Sequence, residues 1–526
     1  MAESEISAPY TIFSERRKRW TIAIASMVTF LSPVSANMYY PAINRLAHDL
    51  HVSHAKINLT ITVFMIVQGI GPLFVGSVSD IYGRRPTVLL SLLVYLGVNI
   101  GLARQTSYPV LMALRCLQSL GSSTACIVCS SVAADLVPRA ERGRYMIYSS
   151  LGVTLGPAIG PIVGGVLTQF FDWRSTFWFL AIFAGVMITV VLVFLPETCR
   201  VVVGNGSILP PWWNIPLVQY LNHTTKAEEF VCSRTPNGEK QARHKRPTPL
   251  DSIRVAMQKE TAAIITFTTL LFCGYTSVLS TLPSQLESKY HFNALQVGLC
   301  YIPYGAGSLT SRWTIGKLID WNFRRHARKQ GIEIVQNRQV QLSLMPVEKA
   351  RLQITLPVIY GAAAAVVGYG WTMNHQVNLA GPLVMLFFVS HLISGATSTL
   401  ITLVIDCHVQ RPATASAANN MFRCLFGAGA VAGAIPLIDA ISIGWTGTMI
   451  AFVWVLFSPM LWGVYFWGHS YLLEYLSKGF EIYAKFSVIG WKLPALCYVL
   501  KYMTRWTYGS PFGQFVTCIG AHFSKG

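Results

Sequence analysis

Long apolar runs with almost no charge inside them limit what this chain can fold into more than any other feature. Crossing the hydrocarbon of a bilayer takes about 20 apolar residues of helix. Backbone groups there find no water, so each run must close its own hydrogen bonds as a helix. Twelve such runs read along the chain, at 20–40, 57–78, 87–103, 109–134, 145–170, 176–195, 262–282, 297–315, 355–373, 381–405, 415–438 and 446–467. The chain is 52% hydrophobic and only 12% charged, whereas a soluble domain is about a quarter charged. The expected fold is all-α and membrane-embedded, with twelve transmembrane helices in two pseudo-symmetric six-helix halves.

The layout that follows is a cytoplasmic segment 1–19, a first six-helix bundle 20–195, a polar and basic middle loop 196–258, a second bundle 259–468 and a tail 469–526. A second polar loop is expected at 321–353. The apolar run after Glu15-Arg-Arg-Lys-Arg19 is too long for a signal-peptide core and lacks a small-residue cleavage site, so it should stay attached as the first span. The tail is aromatic and apolar but broken by Lys478, Lys485, Lys492, Lys501 and Arg505. It reads equally as an interfacial segment or a poorly ordered end.

Net charge is +19, and its distribution decides what that means. A nucleic-acid binder clusters Lys and Arg on one soluble face. Here the loops assigned to the outside hold only Arg45, Lys56, Arg104, Arg174 and Lys289; Arg115, Arg312 and Arg423 fall within spans, and the remaining Lys and Arg lie on the inner side. That asymmetry is the positive-inside pattern. It predicts both termini in the cytoplasm and no nucleic-acid partner; the expected setting is the plasma membrane, with the vacuolar membrane as the alternative.

A charged turn occurs twice. Gly76-Ser-Val-Ser-Asp80-Ile-Tyr-Gly83-Arg84-Arg85 follows the second run, and Gly316-Lys-Leu-Ile-Asp320-Trp-Asn-Phe-Arg324-Arg325 follows the eighth. Gly, Asp and the Arg pair keep the same offsets in both. Two copies at matching places imply two related halves, the pattern of a secondary transporter. These charges are candidates for a conformational switch, with Asp135 and Asp406 at the inner ends of the fourth and tenth runs as partners.

The fifth run carries Gly152, Gly156, Pro157, Gly160, Pro161, Gly164 and Gly165. Glycines four apart form one stripe on a helix and admit a close neighbour, while the prolines each remove a backbone donor and bend it. Arg115 lies about two turns into the fourth run, near Gln118 and Gly121; a cation there is costly in lipid and faces a polar cavity or partner. Arg423 with Asn419 and Asn420 is a similar case. No Asp or Glu lies in the middle of a run. His391 is the mid-run His, able to titrate near neutral pH or to serve as hydrogen-bonding glue between helices. A substrate site near the mid-membrane would draw on Pro33, Asn37, Tyr40, Gln68, Tyr275, Tyr301, Tyr304, Asn419 and Arg423. Few charges and many aromatics fit a bulky apolar or weakly cationic molecule. Cys116, Cys126, Cys129, Cys273, Cys300 and Cys424 lie in apolar runs, where free Cys behaves as a small apolar residue; neither a disulfide framework nor a metal site is expected. There is no GxxxxGK[ST] run, so ATP use through a P-loop is unsupported, and neither a cofactor nor an enzymatic activity is indicated.

The Gly76–Arg85 turn resembles the loop 2–3 signature of the major facilitator superfamily, Arg115-Cys-Leu-Gln118 its span-4 signature and Gly152–Gly165 its span-5 antiporter signature. Together they are similar to the drug:proton antiporter family with twelve spans. Leu195-Pro-Glu-Thr-Cys-Arg200 and Val203-Gly-Asn-Gly-Ser-Ile208 resemble its fungal quinidine-resistance-type branch. Ser119 stands where the span-4 signature usually has Gly. The resemblance implies the major facilitator fold, a role for Arg115 in proton coupling, and proton-driven export of toxic small molecules or secondary metabolites by a monomer. Uptake of a nutrient or amine, and a membrane sensor that does not transport, are the competing readings; the Gly-Pro pattern of the fifth run argues against uptake.

Overall fold

The computed structural model describes residues 11–137, 142–204, 208, 210–211, 214–218, 249–329, 347–408 and 412–486. Regular structure among them is entirely helical. Twelve long helices can be counted: α1 (Glu15–Asn37), α2 (His54–Tyr82), α3 (Arg84–Arg104), α4 (Tyr108–Leu136), α5 (Arg142–Phe170), α6 (Arg174–Phe194), α7 (Lys259–Tyr290), α8 (Ile302–Lys329), α9 (Val347–Asn374), α10 (Ala380–Cys407), and a final stretch Pro412–Phe486 that non-helical Ser442 divides into α11 (412–441) and α12 (443–486). Short helices fill some connections, among them Ile43–Asp49 and Ala294–Leu299.

Among the described residues nine stretches are long and apolar enough to cross a membrane, and one of them, Thr414–Phe466, contains both α11 and α12. Helix α5 contributes a shorter apolar piece, Leu155–Phe170. Helix α8 falls short because its second half carries Lys317, Asp320, Arg324, Arg325, Arg328 and Lys329. Helix starts follow local chemistry. Ser53 caps α2 by accepting from the Lys56 amide, and Asn293 and Gln296 form a reciprocal capping box at Ala294–Leu299.

Three expectations change. The second copy of the charged turn is not a turn: Gly316, Asp320, Arg324 and Arg325 all lie within α8, which runs unbroken to Lys329. In the first copy Gly83 has φ 109° and ψ 161° and separates α2 from α3; such backbone is essentially restricted to glycine. Phe323 occupies the matching offset in the second copy, so the helix continues. Consequently the loop expected at 321–353 is helical at both ends, up to Lys329 and again from Val347. The tail also begins as helix, continuing to Phe486. By compactness Met1–His469 is one unit and Ser470–Gly526 another. Asn205 and the middle segment 219–248 lie outside the described residues.

The glycine stripe of α5 packs directly against α1 and its C-terminal end. A Cβ on Gly156 would collide with Pro33 of α1, one on Gly152 with the Ser26 carbonyl, and one on Gly164 with the Met38 carbonyl; on Gly160 it would sit 3.0 Å from the Asn37 Cβ. The other side of α5 meets the second half of the chain. A Cβ on Gly165 would lie 2.7 Å from the Ala294 carbonyl oxygen, and one on Gly305 would lie 2.7 Å from Ala158. Thus α5 is pressed between α1 and the start of α8.

The Gly83 break is held by Glu197, which follows α6. Its buried carboxylate accepts from the backbone amides of Arg84 at 2.9 Å, Arg85 at 3.2 Å, and Thr198 and Cys199 at 2.8 Å each, and from the Asn214 side chain at 2.8 Å. Two arginines at a helix N-terminus oppose the helix dipole; a carboxylate on the same amides offsets them.

Two outcomes follow from this packing. Gly156→Leu should destabilise the solubilised protein by about 1–3 kcal/mol in a fluorescence-detected unfolding series, while Gly97→Leu, with nothing within 4 Å of its Cβ, leaves it unchanged; equal behaviour would mean that the α1–α5 contact is not tight. Glu197→Gln should cost about 1–3 kcal/mol in the same assay, because an amide presents one acceptor oxygen and adds donors against backbone N–H groups; an unchanged unfolding curve would show that the cap is dispensable.

Candidate functional site

Among the described residues, charged side chains at the Gly83 end pair between neighbouring helices in both halves. Arg84 Nε lies 3.0 Å from Asp135 Oδ2, joining α3 to α4, and its Nη1 donates to Ser79 Oγ at 3.0 Å. Arg85 Nη2 donates to the Leu192 carbonyl at 2.9 Å. In the second half Arg351 of α9 pairs with Asp406 of α10 at 2.7 Å. These pairs sit at matching places, α3 with α4 and α9 with α10. The second half therefore takes its pairing arginine from α9, which the repeated motif did not indicate. Arg324 and Arg325 remain exposed on α8, with Arg325 over the Trp321 ring. The side chains of Gly76–Val78 and of Asp80 lie outside what the structure describes.

Arg115 is completely buried in the first half. Its guanidinium carbon sits 4.0 Å from the Tyr39 ring centroid and 4.5 Å from that of Phe64, one from α1's end and one from α2. Nη1 donates to Gln118 at 2.6 Å, Gln118 donates to Asn99 at 2.7 Å, and Asn99 donates to the Tyr95 carbonyl at 2.7 Å. Nε and Nη2 are buried with no hydrogen-bond partner, and no carboxylate pairs with it among the described residues. A cation stripped of water thus rests on two aromatic faces and one amide. Ser119 donates to the Phe64 carbonyl at 2.6 Å, tying α4 to α2.

A second polar layer spans both halves. Asn420 of α11 donates to the Gln68 carbonyl of α2 at 3.5 Å, and Gln68 reaches Ser32 of α1 at 3.4 Å. A Cβ on Gly69 would lie 2.9 Å from Cys424, so α2 and α11 nearly touch. Arg423 donates to Asn420 at 2.9 Å and stands 4.7 Å from the Phe272 ring centroid. Rings then follow without a gap: Phe272 to Tyr275 at 6.0 Å, Tyr275 to Tyr304 at 5.5 Å, Tyr304 to Tyr301 at 6.3 Å, and Tyr301 stacked on Tyr40 at 6.0 Å. Tyr304 Oη and Asn419 Oδ1 are buried without partners. The Tyr40–Tyr301 stack joins the two halves at the end remote from Gly83, where Asn44 also donates to the Pro283 carbonyl at 3.2 Å.

Tyr40, Gln68, Tyr275, Tyr301, Tyr304, Asn419 and Arg423, chosen from sequence, therefore converge. Pro33 and Asn37 do not join them: both are packed against Gly156 and Gly160 of α5, and Asn37 donates back to the Pro33 carbonyl at 2.7 Å. His391 lies between α10 and α8, its Nδ1 3.0 Å from Thr310 Oγ1 and its Nε2 3.1 Å from Thr314 Oγ1. Phe272 and Glu197 were not singled out. Phe272 carries no signal separating it from lipid-facing phenylalanines, and Glu197 marked only a family resemblance. All described cysteines are free.

Comparison with known proteins agrees with this architecture. A family model described as Major Facilitator Superfamily matches residues 25–432. The chain is 44% identical to MFS-type transporter R5 of Phoma sp., over 88% of this chain and 87% of that one. It is 32% identical to Citrate exporter 1 of Aspergillus niger, over 89% of each. The crystal structure of the human organic anion transporter MFSD10 (TETRAN) has the same fold, with a TM-score of 0.55 at 17% identity over 85% of this chain and 100% of that one. By its helices, its buried polar layers and the match over most of its length, the chain belongs to the major facilitator superfamily: it is a multi-pass membrane transporter, not an enzyme.

Proposed function

We propose that this transporter exports small, largely apolar organic compounds in exchange for protons, by alternating access. One observation carries the reading: α5, which contains Pro157 and Pro161, is in close contact with α1 on one side and with the start of α8 on the other. A helix pressed against both halves through glycines is the natural pivot between bundles 20–195 and 259–468, with segment 196–258 as the tether. The aromatic and amide layer beside it supplies a cargo site built from both halves. An exporter among the relatives supports the direction.

The protein acts as a monomer in the plasma membrane with both termini in the cytoplasm. In that orientation the Tyr40–Tyr301 stack closes the outer face, and the ion pairs Arg84–Asp135 and Arg351–Asp406 lie on the inner face as the switch that breaks and re-forms. Arg115 couples the halves of the cycle, since a buried cation without a carboxylate responds strongly to any charge entering its surroundings. Gln118 fixes its orientation. The proton is taken by His391. A threonine hydroxyl accepts from a ring N–H or donates to a bare ring nitrogen, so Thr310 and Thr314 satisfy the imidazole in both protonation states.

Two measurements test this. In inside-out vesicles carrying an imposed pH gradient, Arg115→Ala should lose export of toxins identified by sensitivity of a deletion strain, while the amount of inserted protein is retained; full flux in the variant removes Arg115 from the mechanism. His391→Gln should flatten the pH profile of export, and a profile identical to the parent's would place the proton elsewhere. In these vesicles export appears as accumulation in the lumen, so proton-driven loss of preloaded compound would reverse the assigned direction.

A further inference from the structure

We infer that the cargo carries a carboxylate, and that Arg423 receives it; this rests on the proposed transport reading and names the chemistry of its site. Arg423 projects from α11 into the layer shared by both halves. One nitrogen donates to Asn420 at 2.9 Å, Nε is buried without a hydrogen-bond partner, and no carboxylate pairs with the guanidinium among the described residues. The residue is part-buried, with its Nε shielded from water and its charge without a counter-ion among the described residues, so the buried donor is left without an acceptor. An anionic ligand supplies the missing acceptor through charge-assisted hydrogen bonds. The partnerless Asn419 Oδ1 and Tyr304 Oη lie in the same layer, ready for neutral polar groups of the same molecule.

The rings define the rest of the ligand. Phe272 touches the guanidinium face, and Tyr275 and Tyr304 continue from it at centroid spacings of 6.0 and 5.5 Å. A molecule with a carboxylate at one end and a flat apolar body of a few rings matches that arrangement. Aromatic faces alone would equally suit a weakly cationic compound. Arg423 reverses that preference, because a second cation beside it in a medium of low dielectric is repelled. An inside-negative membrane potential also drives an anion outward, in keeping with export.

The test uses full-length protein in nanodiscs and three probes of one shape: 1-naphthoate, the neutral 1-naphthamide, and the cationic 1-naphthylmethylammonium, titrated calorimetrically. The parent protein should bind naphthoate at least about tenfold more tightly than the amide, the span expected for a hydrogen bond to a charged group, with the amine weakest. Arg423→Gln should bring naphthoate to within about twofold of the amide without weakening the amide, and Arg423→Lys should keep part of the preference; a residue that merely supported the fold would shift all three probes together. Naphthoate that binds no better than the amide, fails to bind, or keeps its advantage in Arg423→Gln overturns the proposal, as does tightest binding by the amine. Should Arg423→Gln not fold, the parent's ranking of the three probes still decides. Equilibrium binding needs no flux, so anion-selective binding without export defeats only the exporter reading, and export indifferent to cargo charge defeats only this one.

Discussion

The close approach of α5 to α1 is the contact on which the rest of the bundle depends. Lipid tails are as apolar as leucine, so helices in a membrane gain little from hydrophobic burial against one another and associate through dense packing and a few polar links. Four glycines of α5, at 152, 156, 160 and 164, let its backbone reach that of α1 at Ser26, Pro33, Asn37 and Met38. Because α5 also touches Ala294 and Gly298 of the second half, the same helix that closes the first bundle sets how the two bundles meet. Any side chain added on either face must push one of those neighbours away.

Buried charge is handled by three different arrangements. At the Gly83 end, Arg84 and Arg351 each have a carboxylate within 3.0 Å, and Glu197 gathers backbone amides that would otherwise face two like charges. Arg115 in the first half rests between two rings with its amide relay through Gln118 and Asn99. Arg423, facing the shared layer, has an amide, one ring and an unfilled donor. Pairing lowers the cost of a charge where the structure must be held. Arg115 and Arg423 both keep unfilled donors, and of the two Arg423 faces the layer shared by both halves, where a passing ligand can supply an acceptor.

Pseudo-symmetry in this protein is a matter of place more than of residue. The repeated Gly-Asp-Arg-Arg pattern correctly signals two related halves, yet only the first copy makes a turn, since Gly83 supplies a backbone conformation that Phe323 cannot adopt. The second half makes the matching ion pair with Arg351 of α9 opposite Asp406, outside the repeated motif on α8. A pattern search finds the residues that kept their spacing; it does not find a charge that occupies the equivalent helix at a different distance from the motif.

What the sequence by itself determined is the class of fold and the location of its polar exceptions. Apolar runs longer than about 20 residues leave a helix as the answer in lipid, and any Arg, Gln, Asn or His within such a run stands out because it is costly there. Arg115, Arg423, Gln68 and the tyrosines were legible for that reason. Tertiary structure alone decided which of them meet. Pro33 and Asn37 turned toward the α5 glycines while Tyr40 turned toward Tyr301, although all three lie on one short stretch of chain. Glu197 acquired its role only when the segment after α6 returned to the start of α3, and Phe272 only when α11 placed a guanidinium on its face. Periodicity along one helix tells which residues share a side; it carries no information on which helix that side will face, because in a bundle of twelve apolar helices the choice of neighbour is made by shape fit between distant segments.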